Sequence, residues 1–482
     1  MQKFQMYVDG CWVDSDSGEV DEVRSPATGD PLGIVPQGTR ADVNQAIAAA
    51  RRAKPVMADI PIWERAARLH AVADAMLSRR EQLARWISLE QGKPYRTEAL
   101  VEVDKAAEMF RGAAEDIKRL ETPVLPSADP NKRIITIRQP HGVYGVITPW
   151  NFPMSIPTEY LSAGLAGGNT IVWKPSSFTP ICAIQLMECV EQAGFPAGAL
   201  NVVTGPGSIV GDEIASNDGI DAIGLTGSFA IGDQVARKAG AKPVLLELGG
   251  NGPTIVLDDA DLEYAIRRTA WGCFDNAGQK CSSVERILVQ EKVYDRFVEG
   301  LVSEAKRVRL GHPLHEQTTM GPLNNEPGAA KVDEHLADAR QKGADVLVGG
   351  SRSDGFPSAL YYLPTVVTGV RPDMLLNMEE TFGPVAPILV FADDDEAILL
   401  ANKNSGGLIS GVFTQSLARG TYYAEKLQTG IVNVNEVCAS WQPHTPFGGY
   451  SGKKSGIGRL GGVYTILGMT QIKTMVFDVR LM

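Results

Sequence analysis

The sequence predicts an α/β protein in which parallel sheets are covered by helices, and two stretches of alternation carry that expectation. Between Asn169 and Gly250, β-branched runs that read as buried strands (Thr170-Ile171-Val172-Trp173, Leu200-Asn201-Val202-Val203, Ala222-Ile223-Gly224-Leu225 and Val244-Leu245-Leu246) are separated by helical segments such as Ile181 to Ala193 and Gly207 to Ala215. A second series follows in Thr254-Ile255-Val256-Leu257, Arg286 to Gln290, Ala386 to Phe391 and Gly430 to Val434. Strand–helix alternation at this spacing gives a parallel sheet, and ligands bind beyond the carboxyl ends of such strands. At 482 residues the chain exceeds what one core supports, so two or three domains are expected.

Ahead of the strands, Arg40 to about Leu120 mixes good helix formers with apolar residues at three- and four-residue steps, which predicts helices. Two segments stand apart from both sheets: Lys132 to Arg138, with a period of two, and Gln471 to Val479. No run of about 18 apolar residues predicts a membrane span, and the N-terminus lacks the charged and apolar regions of a signal peptide. The net charge of −11 disfavours nucleic-acid binding. Six scattered cysteines argue against a disulfide framework and for a reducing compartment, so a cytoplasmic protein is expected. His312 and His315 share a proline-containing loop that reads as solvated, and no metal is expected.

The chemistry is read from two motifs. Phe274-Asp275-Asn276-Ala277-Gly278-Gln279-Lys280-Cys281 presents a cysteine after a Gly-Gln turn, downstream of Glu247-Leu248-Gly249-Gly250. A thiolate and a carboxylate suit covalent catalysis: one attacks a carbonyl, the other activates the water that releases the product. Cys11, Cys182, Cys189, Cys273 and Cys438 read instead as small buried hydrophobes. Together the two motifs resemble the signatures of the aldehyde dehydrogenase superfamily, and the likeness runs from Asp9-Gly10-Cys11-Trp12 to Pro446-Phe447-Gly448-Gly449.

That resemblance implies a variant Rossmann dinucleotide-binding domain over residues 1–121 and 140–249, a catalytic domain over 250–452, and a β-arm over 122–139 and 453–482 that pairs with a neighbouring subunit in a homodimer or homotetramer. Thr226-Gly227-Ser228-Phe229-Ala230-Ile231-Gly232 is not the Gly-x-Gly-x-x-Gly fingerprint, and by itself reads equally as a strand–helix turn. It matches the Gly-Ser-x-x-x-Gly turn of the superfamily, so Gly227, Ser228 and Gly232 are expected at the cofactor. Lys174, otherwise a surface lysine, would bond the adenosine ribose beside Ser176. Ser177 stands where NAD-preferring relatives often carry Glu, so NAD or NADP is expected as cofactor. Gly205 and Gly207 would flank the adenine. In Glu379-Glu380-Thr381-Phe382-Gly383-Pro384, Glu380 would hold the nicotinamide ribose and Phe382 would pack nearby, with Pro149, Trp150 and Leu248 completing the set.

For the reaction, the resemblance assigns oxyanion stabilisation to the Asn151 side chain, which alone would read as a turn residue before Phe152-Pro153. Cys281 would add to a small aldehyde, hydride loss to the nicotinamide would leave a thioester, and Glu247 would activate the hydrolytic water. A CoA-acylating enzyme is disfavoured by Glu247, and a catalytically retired binding or structural homologue by the complete residue set. Phe152, Ile156, Trp441 and Phe447 would line the substrate tunnel. Glu159 and Asp275 occupy positions where succinate semialdehyde enzymes often carry Arg, which favours a neutral or cationic aldehyde unless both acids pair with local cations outside the pocket. The Tyr450–Gly456 loop is longer than the common form, which bears on the tunnel mouth.

Overall fold

A computed structural model describes residues 1–481; residue 482, the end of the expected arm, lies outside the described residues. The expected parallel α/β architecture is observed. An eight-stranded sheet runs in the order Gly456–Ile457, Val244–Leu248, Ala222–Gly227, Val143–Ile147, Thr170–Lys174, Leu200–Val202, Met6–Val8, Cys11–Val13. Its five central strands are parallel, and the outer ones join antiparallel. Chain order reverses beside Val143–Ile147, so a switch point opens between the carboxyl ends of that strand and Ala222–Gly227, the place where doubly wound sheets bind ligands. Val143–Ile147 is a short, wholly buried run containing glycine, and its pattern did not distinguish it as a strand.

The seven-stranded second sheet contains the expected strands Pro253–Val256, Arg286–Gln290, Val385–Phe391 and Ile431–Val434, together with Thr365–Thr368, Ile409–Phe413 and the antiparallel Asp345–Val348. The helical region resolves into Arg40–Asp59, Ile62–Ser78, Arg80–Glu90 and Leu100–Asp116. The first is opened by a capping box in which Thr39 and Asp42 satisfy each other's backbone donors, and Pro61 separates it from the second. No described helix is long and apolar enough to cross a membrane.

The two segments without a place in either sheet pair with each other. Lys132–Pro140 runs antiparallel to Thr470–Asp478 over nine residue pairs, and Val124–Leu125 adds a short third strand. The C-terminal boundary needs correction, because residues 453–469 are not part of this arm. Gly456–Ile457 sits on the first sheet beside Glu247, and the helix Val463–Gly468 packs on Ser155–Gly167. Cys11 is also corrected: it is exposed, whereas Cys182, Cys189, Cys273 and Cys438 are buried as expected.

Candidate active site

Four loops from the two sheets converge on Cys281. The helix Leu262–Phe274 ends at Asp275, and the next three residues take left-handed backbone angles, with φ of 52° at Asn276, 52° at Ala277 and 74° at Gly278. Asn tolerates that region and Ala does not, so this turn stores strain of about 1–2 kcal/mol beside the thiol. Gly278 is required by contact as well as by angle, since a Cβ there would lie 2.0 Å from the Gly383 carbonyl oxygen. The Glu247-Leu248-Gly249-Gly250 segment leaves the first sheet close by. A Cβ on Gly250 would lie 2.1 Å from the Cys281 carbonyl oxygen, and one on Gly249 would lie 2.4 Å from Glu380 Oε2. The Gly250 N–H donates to Glu380 Oε1 at 3.0 Å, which ties the Glu380 loop to the same point.

Asn151 follows the switch-point strand and is held from several sides. Its Nδ2 donates to the Gln279 carbonyl at 3.0 Å, and its own carbonyl accepts from Lys93 Nζ at 2.9 Å and Asn276 Nδ2 at 3.1 Å. Asn151 Oδ1 and Glu247 Oε1 are buried without a hydrogen-bond partner among the described residues.

Two cavities meet at this junction. One, of about 230 Å³, is lined by Phe152, Glu159, Trp271, Asp275, Trp441 and Phe447. The other, of about 310 Å³, is lined by Pro149, Trp150, Gly227, Ser228, Glu380 and Phe382. Ile156, Thr226, Glu247 and Cys281 belong to both walls. Burial, followed by the facing carboxylate of Glu247, pushes the Cys281 thiol up, and burial pushes Glu247 up as well.

The remaining positions divide. Lys174, Ser176 and Ser177 lie at the carboxyl end of Thr170–Lys174, and Ser177 Oγ donates to the Gly205 carbonyl at 2.9 Å, so these strand ends share one edge with Gly205 and Gly207. Lys174 is 6 % exposed, and burial lowers it to about 8. Gly232 and Leu248 meet each other instead of the cavity. A Cβ on Gly232 would lie 2.3 Å from Leu248 Cδ1, so this glycine lets the helix Phe229–Ala239 pack onto the strand. Asp275 accepts from Lys280 Nζ at 2.7 Å, so its cation is local, although the pair stands in the cavity wall. The long Tyr450–Gly456 loop is anchored behind the site: Ser455 Oγ donates to the Gly249 carbonyl at 2.8 Å, and Lys454 N to Ser405 O at 2.9 Å.

Residues 12–475 match the sequence profile described as "Aldehyde dehydrogenase family". The chain belongs to that family. It is 41% identical over 474 residues to the glutarate-semialdehyde dehydrogenase of Pseudomonas aeruginosa, covering 97% of this chain and 96% of that protein. It is also 41% identical to the NADP-dependent succinate-semialdehyde dehydrogenase of Escherichia coli, covering 98% and 97% of the two chains. The crystal structure of an E. coli NADP-dependent enzyme superposes with a TM-score of 0.96 at 40% identity, over 99% of this chain and 98% of that one. This aldehyde dehydrogenase is therefore an oxidoreductase acting on aldehydes.

Several residues of its site escaped the sequence reading. Glu102, Lys105 and Met109 line the smaller cavity as one stripe of the helix Leu100–Asp116, whose period could have revealed it, and Glu98 joins them from the turn just before it. Glu285 accepts from the Thr381 and Phe382 N–H groups at 2.8 and 3.0 Å and holds Phe382 at a left-handed φ of 59°. No local signal marks Glu285, because its partners lie far along the chain.

Proposed function

We propose that this aldehyde dehydrogenase converts its aldehyde to the carboxylic acid through a thioester on Cys281, with a nicotinamide dinucleotide as electron acceptor. The observation that carries this reading is the position of Cys281 and Glu247 in the shared wall of two cavities, which lets one thiol face substrate from one side and cofactor from the other.

The Cys281 thiol loses its proton to solvent, and its sulfur bonds to the carbonyl carbon. The alkoxide that develops needs fixed donors, and the second Nδ2 hydrogen of Asn151 supplies one. The Gln279 carbonyl accepts the first Nδ2 hydrogen and holds that amide, while Lys93 and Asn276 fix the Asn151 backbone carbonyl. Oxidation leaves the thioester on Cys281. Glu247, a stronger base than a free carboxylate because burial raises its pKa, takes a proton from the water that attacks the thioester, and the acid leaves as the thiol reforms.

The residues fit the cofactor. Lys174 is buried without a paired carboxylate among the described residues, and the larger cavity offers Trp150, Gly227, Ser228, Glu380 and Phe382. When bound, the dinucleotide supplies a two-electron acceptor. Ser177, exposed and uncharged near Lys174, admits a 2′-phosphate, so both NAD and NADP are accepted. The exposed Ile472, Val476 and Phe477 on the arm support pairing with a second copy in a dimer or a pair of dimers.

Initial rates with NAD and NADP over a panel of aldehydes, with Cys281→Ala and Glu247→Gln alongside, test the reading. Turnover should vanish in Cys281→Ala, and Glu247→Gln should give one burst of reduced cofactor followed by steady turnover slowed about 100- to 10,000-fold. Full steady turnover in Glu247→Gln would overturn its place in hydrolysis.

A further inference from the structure

Glu159 stands on the wall of the smaller cavity, 8 % exposed, and pairs with no cation among the described residues. Its helix, Ser155–Gly167, is otherwise buried almost throughout, and Glu159 also borders a further cavity of about 120 Å³ beside Met109 and Asp116. Across the same cavity, Glu98 uses Oε1 to accept from Asn276 N at 3.2 Å, while its buried Oε2 has no partner. Two of the three lysines near these acids are already engaged. Lys93 is bound to Glu102 at 2.6 Å, and Lys280 to Asp275 at 2.7 Å, while Lys105 is exposed.

Resting on the oxidation at Cys281 proposed above, we infer that the aldehyde carries an ammonium group, received by Glu159 and Glu98. Trp441 and Phe447, with ring centroids 4.8 Å apart, offer an aromatic wall to the same cation. Phe152 and Trp271 already carry Lys93 and Lys280 over their rings, at 3.6 and 4.4 Å. Burial raises Glu159 and Glu98 to about 8 each, a cost that a bound cation relieves. Glu159 also adds to the negative field that raises the Cys281 thiol, so the same cation favours the thiolate. A carboxylate-bearing aldehyde would meet like charge at Glu159.

The test compares kcat/KM for betaine aldehyde, its neutral isostere tert-butylacetaldehyde, and succinate semialdehyde, at a pH above the Glu159 value of about 8. Betaine aldehyde should exceed the isostere by about tenfold or more, and Glu159→Gln should shrink that ratio by about tenfold. As a second readout independent of turnover, choline should slow alkylation of Cys281 by iodoacetamide, and do so less in Glu98→Gln and Glu159→Gln. An equal ratio in the two enzymes, a preference for succinate semialdehyde, or no protection by choline would overturn the inference. Protection by choline without oxidation of any aldehyde would uphold the cation site and overturn the proposed oxidation instead.

Discussion

Lys93 and Glu102 form an ion pair of 2.6 Å, each side chain 1 % exposed, and between them they hold both ends of the loop that carries Asn151. Lys93 Nζ also donates to the Asn151 carbonyl at 2.9 Å, while Glu102 Oε1 accepts from Met154 N at 2.9 Å and Ser155 N at 3.2 Å. The pair is thus a brace: it binds the loop before and after Phe152 in a place that water does not reach.

Removing one partner leaves an uncompensated buried charge. Lys93→Met should lower stability by about 3–5 kcal/mol, and kcat should fall more than KM changes, because Asn151 loses its fixed position. The double variant Lys93→Met with Glu102→Gln should recover part of the stability. Urea unfolding and steady-state kinetics check both, and an unaltered kcat in a folded Lys93→Met protein would contradict the brace.

Gly250 tests how tightly the Glu247 and Cys281 segments approach. A methyl group there must push the Cys281 carbonyl, 2.1 Å from the added Cβ, out of place. Gly250→Ala should retain its circular dichroism and lose about 100-fold in kcat, the scale of a displacement near 1 Å.

The thiol's pH dependence follows from its neighbours. Burial and Glu247 both raise the Cys281 pKa, so the thiolate forms only above the ordinary thiol range in the ligand-free enzyme. Iodoacetamide alkylation of Cys281 should therefore rise with pH and reach its midpoint above about 8.5. Glu247→Gln removes a negative neighbour, so that midpoint should move down; an upward shift would show that Glu247 activates the free thiol by accepting its proton.

Cofactor choice should respond to one side chain. Ser177→Glu would set a carboxylate beside the edge shared by Lys174 and Gly205, repelling a 2′-phosphate while leaving ribose hydroxyls as partners. KM for NADP should rise about tenfold or more relative to KM for NAD, measured with one aldehyde throughout. Equal effects on both cofactors would remove Ser177 from the discrimination.

Local periodicity was enough to read four strands of each of the two large sheets and the helical region, because strand and helix write their periods into neighbouring residues. The Cys281 and Glu247 motifs were legible as a thiol and a carboxylate suited to covalent catalysis, whereas Asn151 and Glu380 alone read as turn residues and were marked only by resemblance to the superfamily. Val143–Ile147 was not legible, because a fully buried strand shows no alternation, and neither was the partner of Lys132–Pro140, which lies more than 300 residues away at Thr470–Asp478. The tertiary structure alone decided what pairs with what. It placed Gly232 against Leu248, Lys280 against Asp275, and Lys93 between Glu102 and Asn151, and it left Glu159 without a cation. Residue types and their spacing, together with the family resemblance, therefore pointed to the chemistry proposed for this chain, whereas charge compensation in the cavity depends on distances between remote segments that only the folded chain sets.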